Sequence, residues 1–230
     1  MDRVIKGFYE QHRLGSFVPP HHIDELRLRR VARGRPILEV DEPVDSLHFF
    51  VEGRARVFVP SPNGRQLLLC FYEPLQIFGD LEIIEGAPLA TTTVEALTEC
   101  ACLTLERSYV MSRIASDSEF LRTLTSSLAR KLDRVIRNSA LNLLHPVEER
   151  LTSYILATTT PNKDGAAVFS GNLTQIAGLL GTSFRHLHRT LNSLCDEGVL
   201  VKTGHTYLVL NMDALRSRAA GVYVLADGPQ

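Results

Sequence analysis

The 230-residue sequence predicts an α+β fold in three parts: an all-β segment, a long helix and a winged helix-turn-helix. Residues 28–106 form short alternating apolar runs broken by Gly and Pro, a pattern typical of strands and turns. From about residue 117 the apolar spacing becomes helical, and residues 172–196 form two short helical patterns joined at Gly181. After a lead-in at 1–20, the three predicted parts are a β-domain at 21–115, a long helix at 116–145 and a winged-helix domain at 146–230.

The all-β segment is predicted from apolar side chains that alternate along the chain. Leu47, Phe49 and Val51 lie at every second position, and residues 99–105 (ECACLTL) repeat this pattern. Residues 61–65 (SPNGR) are typical of a tight turn between two strands. Several short strands at close spacing favour a sandwich or a closed β-roll.

The long helix carries a narrow apolar stripe at spacings of three and four residues. Its members are Leu121, Leu124, Leu128, Leu132 and Val135. Such a narrow stripe indicates that the helix pairs with a second copy, as in a coiled coil. A helix packed on its own β-domain is the alternative. The basic residues of this helix are expected to face solvent, namely Arg122, Arg130, Lys131, Arg134 and Arg137.

The apolar stripe ends at Pro146, and another helical pattern begins at Val147. Proline lacks the backbone N–H that a continuous helix requires, so the two helices are expected to be separate. We therefore predict a hinge near His145.

The helix-turn-helix is predicted from its capping residues and from its glycine. Asn172 is expected to cap the first helix, with Gln175 reaching back to form a capping box. Gly181 can end this helix because glycine adopts a left-handed conformation without a Cβ clash. Thr182 or Ser183 is expected to cap the second helix.

The second helix has one apolar face, formed by leucines, and one face suited to DNA. The sequence contains no carboxylate between Thr182 and Cys195. A recognition helix enters the major groove by its N-terminal residues. Its cationic side chains neutralise phosphates, and its Arg side chains can donate hydrogen bonds to the edge of a guanine. Two amphipathic helices joined by a glycine turn are also a common packing unit, which is the alternative. The candidate DNA-binding residues on this helix are Thr182, Ser183, Phe184, Arg185, His188, Arg189 and Asn192.

A hairpin that follows the second helix is a candidate wing. Residues 199–209 alternate around a predicted turn at 203–205. Lys202 and His205 are candidates for contact with the sugar-phosphate backbone. The alternative is that both side chains are simply solvated.

Composition limits the classes of protein considered. The chain is 44% hydrophobic and 22% charged with a formal net charge of −1, so DNA binding would depend on a local basic surface. The sequence has neither a secretion signal nor an apolar run of about 20 residues, which predicts a cytosolic protein without a membrane span. It contains no GxSxG, P-loop or HExxH motif, and no enzymatic activity, cofactor or metal site is expected.

Cys100 and Cys102 share a strand face, which favours buried thiols over a metal or redox site.

This order of parts resembles that of transcription regulators of the cyclic-AMP receptor protein and fumarate-nitrate reduction regulator (Crp/Fnr) superfamily. Residues 51–86, 128–132 (LARKL) and 173–200 carry the resemblance. Within the superfamily, the start of the recognition helix at 183–187 (SFRHL) is similar to that of YeiL-type regulators.

The resemblance implies a specific architecture and set of partners. The β-domain would be a double-stranded β-roll, a jelly roll like that of cyclic-nucleotide-binding domains, and the long helix would join a homodimer. Two recognition helices would then read a pseudo-palindromic DNA operator with half-sites roughly 34 Å apart. RNA polymerase would be a further partner.

The recognition helix departs from the pattern of the family. Many relatives carry Arg-Glu after the capping serine, or Glu two places after it, with another Arg further on. Phe184 and Arg185 stand at the first two positions, and only Arg189 matches the downstream Arg. The usual half-site of the family is therefore not expected.

The effector pocket departs further. Relatives that bind cyclic AMP use Gly-Glu, then Arg-Ser, then Thr-Ser on the long helix, and Ala90 stands here in place of the Arg. Residues 66–106 contain no Lys, Arg or His, so a buried cyclic phosphate would lack a cation at a cost of several kcal/mol. Cyclic AMP is therefore disfavoured, and the effector is either unidentified or lost. The positions that correspond to the pocket are Phe78, Gly79, Asp80, Leu81, Thr91, Thr92, Val135 and Ile136.

Relatives that sense oxygen or nitric oxide bind haem or hold an iron-sulfur cluster with N-terminal cysteines. The first cysteine here is Cys70, so that cluster is not expected. Haem binding by a single histidine such as His48 is an alternative that stays open, although a structural role is favoured for this histidine.

Two functional hypotheses follow. The first is a homodimeric DNA-binding regulator in which an effector shifts a two-state hinge near Pro146. The second is an effector-sensing or scaffold protein whose winged helix contacts a protein partner.

Overall fold

The structure is a computed structural model that describes residues 2–60, 66–86 and 89–219, with side chains described outside 137–143. The α-helices of these ranges are α1 (Arg3–Gln11), α2 (Asp80–Glu85), α3 (Arg107–Tyr109), α4 (Ser118–Leu144), α5 (Val147–Thr158), α6 (Leu173–Leu179), α7 (Phe184–Asp196) and α8 (Met212–Arg218). The strands are β1 (Arg27–Val31), β2 (Pro36–Leu38), β3 (Ser46–Glu52), β4 (Ala55–Pro60), β5 (Gln66–Tyr72), β6 (Gln76–Phe78), β7 (Thr93–Ala96), β8 (Cys100–Glu106), β9 (Thr160–Pro161), β10 (Ala167–Ser170), β11 (Leu200–Thr203) and β12 (Thr206–Val209).

The described strands form three four-stranded sheets. Two of them, with strand orders β1-β8-β3-β6 and β2-β7-β4-β5, contain all eight strands of the N-terminal region. The third has the order β11-β12-β10-β9 and accompanies the helix-turn-helix. The predicted α+β class and the order of its parts are confirmed. The predicted turn at 61–65 lies outside the described residues.

The chain divides into two compact units. The first contains residues up to 57 and residues 72–135, and the second contains the described parts of 58–71 and 136–219. The end of the β4–β5 hairpin therefore belongs to the second unit, which the predicted boundaries do not anticipate. The domain boundaries themselves stay a prediction.

The core of the first unit forms on one face of β3 and β8. These strands pair antiparallel with Phe49 opposite Leu103, and both side chains are fully buried. Alternate residues on the other face include Cys102, whose thiol is also buried. Burial raises the pKa of the Cys102 thiol to about 12 and also raises that of Cys100, so both stay protonated at neutral pH. The prediction of two buried thiols is confirmed.

The apolar stripe of α4 divides between the core and solvent. Leu124 is buried and Leu128 packs against the core of the first unit, as the alternative of a helix packed on its own β-domain predicts. Leu121 is 40% exposed and Leu132 is 61% exposed. Val135 is half-buried. The dimer seam stays a prediction, and the residues available to it are the exposed members of the stripe.

The helix break near Pro146 is confirmed, because α4 ends at Leu144 and α5 begins at Val147. Whether this break moves as a hinge stays a prediction. Within the described part of the chain, no helix combines the length and the apolar character needed to cross a bilayer.

Aromatic and leucine side chains form the core of the second unit. Tyr154 of α5 contacts Phe169 of β10 edge to face, with ring centroids 6.2 Å apart. Leu187, Leu191 and Leu194 of α7 are fully buried. Their burial holds the opposite face of α7 towards solvent.

Candidate DNA interface and sensor site

The two helices of the helix-turn-helix begin and end at the predicted residues. Asn172 Oδ1 accepts hydrogen bonds from the backbone N–H groups of Thr174 and Gln175 at 2.9 and 3.2 Å, which caps α6. Gly181 has a φ of +60°, the left-handed conformation expected of it. Ser183 is the residue that caps α7, because its Oγ accepts a hydrogen bond from His186 N at 3.2 Å.

The solvent face of α7 presents the candidate DNA-binding residues together. Arg185, Arg189 and Asn192 are exposed, as are Ser183 and Phe184. Thr182 and His188 are half-buried. The two guanidinium groups therefore lie on a surface of α7 that carries no carboxylate before Asp196. Such a surface has the charge and the shape to enter the major groove.

Three of these side chains form a contact series along α7 at intervals of four residues. The rings of Phe184 and His188 stack with centroids 5.8 Å apart and an interplanar angle of 25°. Asn192 Nδ2 lies 3.4 Å from His188 Nδ1, close enough for the amide to donate a hydrogen bond to the ring. We call Phe184, His188 and Asn192 the aromatic-amide row.

The wing is the hairpin formed by β11 and β12. Its strands pair with Thr203 opposite Thr206, which leaves Gly204 and His205 at the tip. Lys202 and His205 are exposed. Both are therefore accessible to solvent, and neither makes an ion pair among the described residues; their contact with phosphate stays a prediction.

The residues predicted for the effector pocket lie in different environments. Phe78 and Asp80 are buried, whereas Leu81 is 39% exposed and Ile136 is 60% exposed. Gly79 adopts a φ of +79°, and a Cβ there would lie 2.7 Å from Ser46 O. Of the remaining residues, Thr92 and Val135 are half-buried and Thr91 is exposed.

A cation from α4 binds the buried carboxylate of this region. Lys131 Nζ lies 2.7 Å from both carboxylate oxygens of Asp80 and also donates a hydrogen bond to Ile77 O. The side chain of Asp80 is 4% exposed and that of Lys131 is 17% exposed. Residues 66–106 contain no cation, and the long helix supplies one, which the sequence did not predict. The lack of a cation near Asp80 in the sequence signals that a partner comes from a distant element, but not from which one.

A second α4 cation packs on residues of β5 and β6 in the same unit. The Arg134 guanidinium carbon lies 4.8 Å from the ring centroid of Tyr72, and its Nη1 lies 3.4 Å from Gln76 Oε1. The expectation that the α4 cations face solvent is therefore wrong for Lys131 and Arg134. Both combine a long apolar stem with a cation that contacts an aromatic ring or a carboxylate. Arg122 and Arg130 are exposed as expected, and the side chain of Arg137 lies outside the described residues.

Glu82 of α2 supplies an internal anion beside Thr91. Its Oε1 accepts hydrogen bonds from Thr91 N at 3.1 Å and from Thr91 Oγ1 at 3.0 Å. Glu82 itself is 4% exposed. Both donors of Thr91 are thus bound to a carboxylate of the same unit.

His48 is buried, and both of its ring nitrogens have protein partners. Nδ1 donates to Ser46 O at 2.9 Å, and Nε2 accepts from Arg29 Nη1 at 3.0 Å. Burial and the nearby guanidinium lower the pKa of His48 to about 4, so the ring is neutral at physiological pH. Arg29 and His48 line a cavity of about 430 Å³, and none of the eight residues predicted for the effector pocket lines it.

Comparisons with known proteins agree with this arrangement. Residues 28–117 match the family model of the cyclic nucleotide-binding domain, and residues 149–218 match that of the Crp-like helix-turn-helix domain. The crystal structure of a CRP-family transcriptional regulator from Thermus thermophilus is similar with a TM-score of 0.65 and 25% identity, covering 83% of this chain and 96% of that chain. A putative Crp/Fnr regulator from Eubacterium rectale shares the fold with a TM-score of 0.73 at 15% identity, covering 95% of each chain.

Two curated relatives are similar over most of their length. The regulatory protein YeiL of Escherichia coli O157:H7 is 31% identical over 191 residues, which cover 82% of this chain and 83% of that protein. A CRP-like cAMP-activated global transcriptional regulator of Mycobacterium tuberculosis is 28% identical over 192 residues, which cover 81% of this chain and 85% of that protein. The chain is therefore a member of the Crp/Fnr superfamily, whose proteins are DNA-binding transcription regulators and not enzymes.

Proposed function

We propose that the chain is a homodimeric regulator that acts in the cytoplasm, reads a pseudo-palindromic operator through α7, and recruits or obstructs RNA polymerase. The observation that carries this proposal is the exposed face of α7, where Arg185 and Arg189 lie on a helix that has no carboxylate of its own before Asp196. Exposed Leu132 and Ile136 on α4 support the homodimer, since apolar side chains in a row on a helix gain stability when a second copy covers them.

Selection of duplexes from a random DNA pool by the purified protein tests this function. We expect a two-fold symmetric site with half-sites roughly 34 Å apart, and a dimer in sedimentation. The affinity should fall steeply as salt rises, because each phosphate contact releases counterions. Selection under aerobic and anaerobic conditions also tests whether binding depends on redox state.

The alternative of a protein partner is favoured by one observation, the exposure of the Phe184 ring on α7. It predicts a different outcome of the same experiment: a monomer that selects no duplex, or binding that does not weaken with salt. Either result would count against DNA as the ligand of α7.

We infer that the first unit does not bind cyclic AMP. At the Ala90–Thr91 pair, which stands in place of the Arg-Ser of cyclic-AMP-binding relatives, Glu82 already accepts both hydrogen bonds of Thr91. An incoming phosphate would have to displace this carboxylate and then lie beside it. The buried Glu82 carboxylate would then lie close to a phosphate of the same charge sign, so this internal anion disfavours a phosphate.

The cations of α4 do not remove this obstacle. Lys131 is bound to Asp80 and to Ile77 O, and releasing it for a ligand would leave the Asp80 carboxylate buried without a partner. His48 is likewise held by Arg29 and Ser46, which supports the structural role expected for it over haem ligation. An effector of the first unit, if it has kept one, is of another chemistry than a cyclic nucleotide.

Isothermal titration of the full chain with cyclic AMP provides the direct test. We expect no saturable heat at micromolar to millimolar nucleotide, and no change in operator affinity when cyclic AMP is added. The cAMP-activated regulator of Mycobacterium tuberculosis, titrated under the same conditions, is the positive control. A saturable signal at micromolar cyclic AMP would overturn the inference.

A further inference from the structure

Phe184 is unusual among the phenylalanines of the chain. The sequence contains ten, and Phe184 is the one that the structure places in the exposed class, with 49% of its surface accessible. It is also the first residue of α7, directly after the cap Ser183. The N-terminal end of a recognition helix is the part that reaches base edges. The exposed ring therefore lies where base contact is expected.

The ring is held in place by the aromatic-amide row. Phe184 stacks on His188, which is four residues further along the helix, and Asn192 in turn lies within hydrogen-bonding distance of His188. These contacts restrict the rotamer of Phe184 before any ligand arrives. A side chain that is already ordered loses less conformational entropy on binding.

The chemistry of the ring limits what it can recognise on DNA. Phenylalanine has no hydrogen-bond donor or acceptor in its side chain, so it cannot read the polar groups of a base edge. In the major groove the one apolar group displayed by the four base pairs is the C5-methyl of thymine. Arg185 and Arg189, on the same exposed side of α7, can supply the charge-assisted contacts that the ring cannot make.

We propose that Phe184, oriented by His188 and Asn192, is a specificity-determining residue that selects a thymine in each half-site through its C5-methyl group. The proposal rests on the proposed DNA-binding function and names the base that this end of α7 reads. Burying one methyl group away from water on binding raises the affinity about fourfold. A homodimer that buries one methyl in each half-site therefore raises its affinity on the order of tenfold.

The test replaces thymine by uracil, which removes the methyl and leaves every Watson–Crick hydrogen bond. An operator selected by the wild-type chain is synthesised with uracil at each thymine in turn, symmetrically in both half-sites, and the affinity of each duplex is measured. For the wild type we expect one symmetric pair of positions at which uracil weakens binding on the order of tenfold. For Phe184→Ala we expect equal affinity for the thymine and uracil duplexes. Cytosine at that position should bind weakly, and 5-methylcytosine should recover part of the loss.

A matched control separates this effect from a general loss of apolar surface. Leu210 is 57% exposed, lies just beyond β12 and is not part of α7, so Leu210→Ala should retain the full preference for thymine. Because Phe184 is exposed, Phe184→Ala leaves no core cavity, and an unchanged circular dichroism spectrum confirms that it folds.

The outcomes distinguish a failure of thymine selection by Phe184 from a failure of DNA binding. If the wild type selects an operator but ignores every thymine-to-uracil change, or if Phe184→Ala keeps the full discrimination, the role of Phe184 is rejected while DNA binding stands. If the wild type selects no duplex at all, the proposed function fails and this proposal fails with it.

Discussion

Arg185→Ala and Arg189→Ala should each weaken operator binding by ~1–3 kcal/mol per base contact, which corresponds to roughly 5-fold to 150-fold in affinity. Both side chains are exposed on α7, and the structure gives neither a partner among the described residues. Each guanidinium is thus available to bond a guanine edge bidentately or to neutralise a phosphate. Fluorescence anisotropy with the selected operator measures the loss, and thermal denaturation should show no change in stability.

The salt dependence of operator affinity distinguishes a phosphate contact from a guanine contact of each Arg. Loss of a phosphate contact weakens all duplexes alike and lowers the salt slope by about one, whereas loss of a guanine contact relaxes the sequence preference at one position. Arg216→Ala is the matched control, because Arg216 lies on α8 in the same unit and pairs on the surface with Asp213. Unchanged operator affinity in both α7 variants would reject the docking of this helix in the major groove.

The helix-turn-helix could be predicted from sequence because local signals determine it. Asn172, Gly181 and Ser183 act within four residues of their own positions, through caps and a left-handed φ. The wing was predictable for the same reason, since a hairpin pairs residues that are close in sequence. In each case the residues that interact are close to one another in the sequence.

The polar contacts of the first unit could not be predicted in this way. Lys131 and Asp80 are 51 residues apart, and nothing near Asp80 in the sequence indicates which element supplies its cation. Residues 66–106 indeed contain no cation, but the cation that binds Asp80 comes from outside this range. Likewise, Leu124 and Leu132 look alike in sequence but differ in burial, because it is Lys131 and Arg134, the neighbours of Leu132, that contact strand residues of the first unit.

Lys131→Met should destabilise the folded chain by ~3–5 kcal/mol, because it leaves the Asp80 carboxylate buried without its cation. The ammonium contacts both carboxylate oxygens at 2.7 Å, and the carboxylate is 4% exposed, so water cannot replace the lost partner without rearrangement. Urea denaturation followed by circular dichroism measures the loss. The matched control is the surface pair of Arg30 and Glu52, at 3.6 Å and more than half exposed, for which Arg30→Met should cost below about 1 kcal/mol.

The double variant Asp80→Leu/Lys131→Met tests the physical reason for this loss. If the cost of Lys131→Met comes from an unpaired buried charge, then removing the carboxylate as well should restore most of the stability, to within ~1–2 kcal/mol of the wild type. If the cost came instead from lost packing of the lysine stem, removing the carboxylate would not restore stability, and the double variant would be no more stable than Lys131→Met. A loss in Lys131→Met no larger than that in Arg30→Met would show that the pair is not buried in solution. Because Lys131 lies on α4 and Asp80 begins α2, recovery in the double variant would also show that these two helices stay packed without an ion pair as long as no buried charge is left unpaired.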